Sequence, residues 1–376
     1  MFKETDARLF YYQNRQLLLD IFIVSNFMFA TYLRIPNYIL LPTLLLSIWW
    51  LFDFKKSIKS LSGLGILTLF SCISFYSYRF DFSQLDRIDD FIPVSALFFL
   101  SVSLAISPYV KRSTMKLFCY FFMLEIVLAL VLFLTGNDNL SGLLLNVKNL
   151  ADYEYELPLR GVHVLSDSAT VFGLNSFVLL ILNHQFFKNH KFYHLFLVLG
   201  ILGVVLSGSK YMIFILLPFF LFKYLLRQKI GFSKITLLVV SVLLLFVICL
   251  VMLTSLSFLN VLTSQRLSIF YNFYKFLSEN FWLGNNSMDL RMSTSSGKQY
   301  HAHNSFIQVI ATNGFIYFNF LAILIAKNIN RYNYTSIFFF ILLSLFNHVI
   351  FWGFYHLDLI FGFIVFAINQ KNLIDE

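Results

Sequence analysis

Apolar runs long enough to cross a membrane recur from one end of the chain to the other, separated mostly by short polar connections. A helix needs about 17 to 25 predominantly apolar residues to cross the hydrocarbon layer of a bilayer. The pattern therefore predicts an all-α polytopic membrane protein with about twelve transmembrane helices, forming a single membrane domain over residues 1–376. The predicted spans are 16–33, 36–52, 60–78, 91–109, 115–135, 168–186, 192–207, 210–227, 235–255, 304–326, 335–352 and 354–370.

Composition and charge agree with this class and exclude an ordinary soluble domain. Hydrophobic residues make up 59% of the chain and charged residues 12%, and the mean hydropathy is +0.75. Most of the 28 Lys and Arg residues lie on the cytoplasmic side if both termini are placed there, which is the bias that membrane insertion favours. The net charge of +9 is spread over many short connections, so it does not indicate nucleic-acid binding.

Three polar segments share the non-cytoplasmic face in this orientation. They are an outer loop at 136–167, the tight connection Ser207-Gly208-Ser209-Lys210, and a large outer loop at 256–303. Because the three lie on one side of the membrane, we expect their cationic side chains to converge. The candidate residues that they carry are Arg160, His163, Lys210, Arg266 and Arg291.

The large outer loop meets the next apolar run at His301-Ala302-His303-Asn304. Two imidazoles and a carboxamide are thereby placed at a membrane–water boundary, where a titratable side chain can meet both a lipid-borne and a water-borne substrate. This placement favours a site for chemistry on an amphipathic molecule. The alternative is that His303 and Asn304 only cap the start of a helix.

The stretch from Ser264 to Trp282, within the same loop, carries apolar residues at helical spacing. This spacing predicts an amphipathic helix on the outer membrane surface, or a loop helix packed on the bundle. Arg266 would lie at its N-terminal end. The apolar positions are Leu267, Phe270, Tyr271, Tyr274 and Leu277.

Two acidic residues in the first five predicted spans are Asp20 and Glu125. An intramembrane carboxylate is a candidate functional group, although each could instead be a hydrogen-bonded packing residue. The sequence contains no Walker loop, no Rossmann glycine pattern and no His cluster at metal-ligand spacing. We therefore predict no cofactor and no metal, and expect any reaction to draw its energy from an activated substrate.

A lipid-linked diphosphate sugar would suit these residues. Its leaving group is already an anion at neutral pH, so the site needs cations beside the diphosphate and a base for the incoming hydroxyl group. Arg160, Lys210 and Arg266 meet the first need, and His303 meets the second. Asn304 could orient the imidazole or bind a sugar hydroxyl.

The pattern His303-Asn304, followed after residues 305–313 by Gly314-Phe315-Ile316-Tyr317, resembles the signature of the O-antigen ligase and O-antigen polymerase superfamily of bacterial membrane glycosyltransferases. The preceding Glu279-Asn280-Phe281-Trp282-Leu283-Gly284 is similar to that family's stretch before its large loop closes. Arg266 in Ser264-Gln265-Arg266 and Arg160 before Gly161 resemble family arginines. Lys210 stands where many members have arginine. The resemblance covers about residues 160–317.

The resemblance implies a fold of the type-C glycosyltransferase kind that acts without metal, inverts the anomeric centre and faces the periplasm from the bacterial inner membrane. The donor would be an oligosaccharide on undecaprenyl diphosphate, and a chain-length regulator could be a partner. It implies catalytic roles for His303, Arg266 and Arg160. The substrate-binding candidates are Lys210, Asn304, His301, His163 and Arg291.

Three functions stay open at this point. A polymerase would extend another lipid-linked repeat unit, and the compact length, Lys210 and the high Phe content favour it. A ligase would transfer the glycan to the lipid A core. A lipid-linked oligosaccharide transporter is the third possibility, and it would use ionisable residues near the bilayer midplane, whereas the charges here concentrate at the outer face. His348, His356 and Asp358 near the last outer turn are compatible with either an enzyme or a transporter.

Overall fold

The computed structural model describes residues 16–28, 110–135, 164–166, 168–188, 190–227, 241, 266–282, 284, 290–293, 299–347, 349–351, 355–366 and 368. Over this part of the chain the fold is mostly helical, with one short two-stranded antiparallel sheet. The predicted spans 36–52, 60–78 and 91–109, nearly all of 235–255 and most of the loop 136–167 lie outside the described residues.

The helices, in chain order, are α1 (Gln16–Met28), α2 (Arg112–Leu134), α3 (Ala169–Phe186), α4 (Tyr193–Leu206), α5 (Lys210–Arg227), α6 (Arg266–Asn280), α7 (Ser305–Asn328), α8 (Tyr334–Phe346) and α9 (His356–Phe366). The strands β1 (Met292–Ser293) and β2 (Gln299–Tyr300) form a hairpin before α7. Each of these helices except α6 coincides with a predicted span. Among the described residues, α2, α3 and α7 are long and apolar enough to cross a membrane.

Small residues allow the helices α2, α3 and α4 to pack closely. A Cβ atom placed on Gly203 of α4 would lie 2.2 Å from Ser176 Oγ of α3, and one on Gly200 would lie 2.5 Å from a Leu180 methyl group. Near the other end of α3, a Cβ atom on Gly173 would lie 2.6 Å from Ser207 Oγ. This contact holds the turn between α4 and α5 against α3, as small residues do where helices meet in a bilayer.

Two predicted spans differ from the structure in a way that shapes the site. The helix α8 ends at Phe346, whereas hydropathy predicts that it continues to residue 352, and Asn347 is extended (φ −154°, ψ 166°). The chain leaves the helix because side chains bind the next backbone N–H groups. Ser305 Oγ accepts from Val349 at 2.8 Å and from Ile350 at 3.2 Å, and the Asp358 carboxylate accepts from Phe351.

The second difference is a break in α7 at Gly314 (φ 84°, ψ 163°). The turn that follows α6 fits into this break. Phe315 N–H donates to Phe281 O at 2.8 Å and Ile316 N–H donates to Trp282 O, so two N–H groups freed at the start of the second half-helix are satisfied. The Phe281 and Phe315 rings stack with their centroids 4.6 Å apart.

We expect Gly284→Ala to disrupt this contact. Gly284 has a positive φ of 68°, and a Cβ atom there would lie 2.6 Å from the backbone of Thr312 and Gly314. Backbone strain and overpacking should together lower the free energy of unfolding by about 2–4 kcal/mol. Thermal unfolding of the detergent-solubilised protein measures this, with Glu279→Ala at an exposed position as the control. Equal midpoints for the two variants would show that the turn tolerates a side chain.

The two carboxylates predicted inside spans are buried and hydrogen-bonded. Asp20 Oδ1 accepts from Thr114 Oγ1 at 2.6 Å and from Gln16 Nε2 at 2.8 Å. Glu125 Oε1 accepts from the Ser166 N–H at 2.7 Å. These bonds support the packing interpretation, because a buried polar group costs stability unless it is paired.

The helix α6 confirms the helix predicted for residues 264–282, but its inward face differs from the predicted stripe. Ile269 and Phe273 are buried, and they pack in a small cluster with Ala302 and Ala311. Tyr271 and Tyr274 of the predicted stripe are 58% and 71% exposed. The helix therefore packs on α7 through residues that hydropathy spacing alone did not select.

Candidate active site

Three consecutive residues, His303, Asn304 and Ser305, bind the end of α8 and the segment that follows it. Asn304 Nδ2 donates to Leu345 O at 3.0 Å, and Ser305 Oγ donates to Asn347 O at 3.3 Å. His303 Nδ1 lies 3.2 Å from Asn347 Oδ1. The start of α7 and the end of α8 are thus held side by side, with the imidazole between them.

Asn304 is the N-cap of α7. Its Oδ1 accepts from the N–H groups of Phe306 at 2.9 Å and Ile307 at 3.0 Å, and the residue is buried. Such bonds satisfy two of the backbone donors that a helix start leaves without partners. The capping interpretation therefore holds for Asn304, and it is Asn347 that contacts the imidazole. A substrate contact for Asn304 stays a prediction.

A continuous set of contacts joins His303 to Arg266. Asn347 Nδ2 donates to the Tyr211 hydroxyl at 3.1 Å, and the Arg266 guanidinium lies over the Tyr211 ring, 5.0 Å from its centroid. Arg266 Nη1 also donates to Phe346 O at 2.6 Å. The four residues come from the starts of α5 and α6, the end of α8 and the residues before α7, so one end of the helices assembles them.

The backbone at His303 has a positive φ of 49°, which is uncommon for a residue other than glycine. The surrounding bonds hold it there. The N–H group of Ala302, the residue before His303, donates to Gln308 Oε1 at 2.9 Å, and Gln308 Nε2 donates to Leu290 O at 3.0 Å. Conformations of this kind persist where neighbouring structure fixes them, and they concentrate at functional sites.

The electrostatics of the site keep His303 neutral. The pKa of His303 is lowered to about 4, first by burial and then by the positive charges of Arg266 and His301, against a rise from the Asn347 hydrogen bond. A neutral imidazole has one bare nitrogen that can accept a proton. The arrangement therefore combines an unprotonated base with a nearby guanidinium.

Arg266 supplies a cation that makes one hydrogen bond to the part of the chain that the structure describes. Burial lowers the pKa of Arg266, and the nearby Tyr211 raises it, but a guanidinium stays charged at any physiological pH. Of its five N–H donors, one meets Phe346 O, so others can reach an anion. Cation and base together suit a reaction in which an anionic group departs while a hydroxyl group loses its proton.

Of the other predicted site residues, the structure describes the side chains of His301 and Arg291. His301 is half-buried and close enough to His303 for its charge to lower that residue's pKa. Arg291 is exposed and directly precedes β1. Lys210 is the first residue of α5, next to Tyr211 and so at the same end of the helices, but its side chain lies outside the description, as do Arg160 and His163.

Tyr211 and Asn347 were not selected from the sequence. Asn347 lies inside the predicted span 335–352, where a polar residue in an apolar run is itself a signal of function. Tyr211 follows the Ser207–Lys210 segment directly, and tyrosines are too frequent in this chain, at 20, to single it out. Within the described residues no group of three His, Cys, Asp or Glu side chains could hold a metal ion.

Comparison with models of known protein families gives no match to this chain, and comparison with curated proteins gives none either.

Proposed function

We propose that the chain is a membrane glycosyltransferase of the O-antigen polymerase kind, which uses an undecaprenyl-diphosphate-linked glycan as donor. The observation that carries this proposal is the assembly of Arg266 and His303 through Tyr211 and Asn347 at one end of apolar helices. Of the helices that meet there, α7 is long and apolar enough to cross a bilayer, in which such a donor is dissolved. The proposed location is the bacterial inner membrane, with this end of the helices facing the periplasm.

The proposed reaction is a displacement at the anomeric carbon of the donor. A hydroxyl oxygen of the acceptor sugar forms the new glycosidic bond from the opposite face, so that the configuration inverts. The bond between that carbon and the diphosphate oxygen breaks, and its electron pair leaves with undecaprenyl diphosphate. The hydroxyl proton passes to His303, and Arg266 stabilises the negative charge on the departing oxygen.

Donor binding should raise the pKa of His303 and so make it a more effective base. In the free protein, Arg266 is one of the causes that keep the pKa of His303 near 4. A diphosphate bound to Arg266 offsets its positive charge and adds negative charge beside the imidazole, so the pKa of His303 should rise towards neutrality. A base with a pKa closer to the working pH accepts a proton more effectively. The proposal thus links donor binding to activation of the acceptor.

The exposed aromatic residues of α6 fit a donor that arrives from the lipid. Tyr271, Tyr274 and Trp282 are all exposed, and aromatic residues of this kind concentrate at membrane–water interfaces. Tyr271 and Tyr274 lie on α6, whose first residue is Arg266, and Trp282 lies in the turn that follows this helix. Lys210, Arg160, His163, Arg291 and His301 are proposed as further substrate contacts, and a chain-length regulator as a partner.

Deletion of the gene followed by gel analysis of the lipopolysaccharide tests the proposal. A lipid A core that carries a single repeat unit indicates a lost polymerase. Bare core with polymer stranded on its lipid carrier indicates a ligase instead, and repeat units that stay in the inner leaflet indicate a transporter. An unchanged ladder of glycan lengths would refute all three.

A further inference from the structure

We infer that Asn347 is a positioning residue that holds neutral His303 in its Nδ1–H tautomer, so that Nε2 is the atom that accepts a proton. The contact that carries this inference is the 3.2 Å separation between His303 Nδ1 and Asn347 Oδ1. A carboxamide oxygen can only accept a hydrogen bond, so Nδ1 must donate and Nε2 must be bare. The assignment of the tautomer holds whichever reaction the site performs.

The other end of the Asn347 carboxamide is hydrogen-bonded to Tyr211. Its Nδ2 donates to the Tyr211 hydroxyl oxygen at 3.1 Å. The amide group therefore presents its NH₂ to Tyr211 and its oxygen to His303. The reversed amide would instead donate to Nδ1 and accept from the Tyr211 hydroxyl, which would require the Nε2–H tautomer, so the tautomer of His303 reports the orientation of the amide.

The backbone of Asn347 is held as firmly as its side chain. Its N–H donates to Leu343 O at 3.1 Å, and its carbonyl oxygen accepts from Ser305 Oγ at 3.3 Å. Asn347 is 6% exposed, so water does not replace these partners. Residues that orient a histidine in this way set which nitrogen is available for chemistry.

Among the described contacts of His303, the one to Asn347 has a distinct role. Arg266 approaches as a cation and has no acceptor, and the Tyr300 ring lies 6.0 Å from the imidazole, centroid to centroid. His301 acts on His303 through its charge. Among the hydrogen bonds described for His303, the one to Asn347 selects a tautomer. The link to catalysis rests on the proposed function, because it requires Nε2 to face the acceptor hydroxyl.

Solid-state NMR of the full-length protein in lipid, with its eight histidines labelled with ¹³C and ¹⁵N, reads the tautomer directly. The His303 signals are those that disappear in His303→Gln. We expect the Nδ1–H form in the wild type and in Asn347→Asp, whose carboxylate still accepts. In Asn347→Leu the Nε2–H form, which an unconstrained imidazole prefers, should become dominant, and transfer activity should fall about 10- to 100-fold.

Two further variants keep the inference open to refutation. Tyr211→Phe removes the anchor of the carboxamide without altering Asn347, so it should give a mixture of tautomers even if Asn347→Leu does not fold. Asn319→Leu removes a similar amide hydrogen bond, to Phe315 O, elsewhere on α7 and should leave the tautomer unchanged. An Nε2–H wild type, or an Nδ1–H form that persists in both Asn347→Leu and Tyr211→Phe, would overturn the inference. If the tautomers behave as expected but no glycan is transferred, the proposed function fails and the inference stands.

Discussion

His303→Gln is expected to reduce glycan transfer by about 100- to 10,000-fold, the range that a general base contributes. Glutamine keeps a polar group close to the size of imidazole, yet it cannot accept a proton at neutral pH. The change therefore removes the base while the protein still inserts and folds. Transfer from a lipid-linked oligosaccharide donor, measured in membranes that contain equal amounts of each protein, gives the size of the effect.

The matched control is His194→Gln. His194 is exposed and lies in the first turn of α4, whereas the site adjoins the other end of that helix. This variant should transfer glycan at the wild-type rate. Full activity in His303→Gln, with normal surface polysaccharide in cells that carry only this variant, would remove His303 from the mechanism.

Arg266→Gln is expected to reduce transfer by about 100- to 1,000-fold, since it removes a cation from the position where charge develops on the leaving group. Arg266→Lys should retain part of the activity, because it keeps the charge but loses the planar fork that binds two phosphate oxygens. Lys275→Gln, which removes an exposed cation from the same helix, is the control. An equal loss of glycan transfer in Lys275→Gln would mean that α6 acts only through its overall positive charge.

Arg266→Gln should also change how kcat/KM depends on pH, and the direction of the change follows from the pKa of His303. The pKa of free His303 is lowered to about 4, so kcat/KM of the wild type should fall on the acidic side only as the pH approaches that value. Removing the Arg266 charge removes one cause of the lowering, so the acidic limb of Arg266→Gln should move to higher pH. An unmoved limb would separate the guanidinium from the base and contradict the geometry.

Hydropathy was sufficient to predict where the described helices lie, because a span must be long, apolar and free of unsatisfied backbone groups. It could not predict where α8 ends. The run 335–352 stays predominantly apolar beyond Asn347, but the chain leaves the helix there because Ser305 and Asp358 bind the following N–H groups. The Ser305 contact joins residues 44 positions apart, and no local pattern encodes it.

Part of the site could also be predicted from the sequence. Arg266 and His303 stand out because charged and titratable residues at a membrane boundary are costly unless they serve a purpose. Tyr211 and Asn347 do not stand out, although they join the other two. Gly284 and Gly314 were visible as sequence features, but the fit of one turn into the break of α7 appears only in three dimensions.

Reconstitution of the purified protein in lipid vesicles with an undecaprenyl-diphosphate-linked repeat unit as the only substrate tests the account most directly. The account predicts that one repeat unit joins another on its carrier, that one undecaprenyl diphosphate is released for each bond formed, and that both products disappear with His303→Gln. Donor molecules that keep their sugar–diphosphate bond intact, whether or not they have crossed the bilayer, would contradict it.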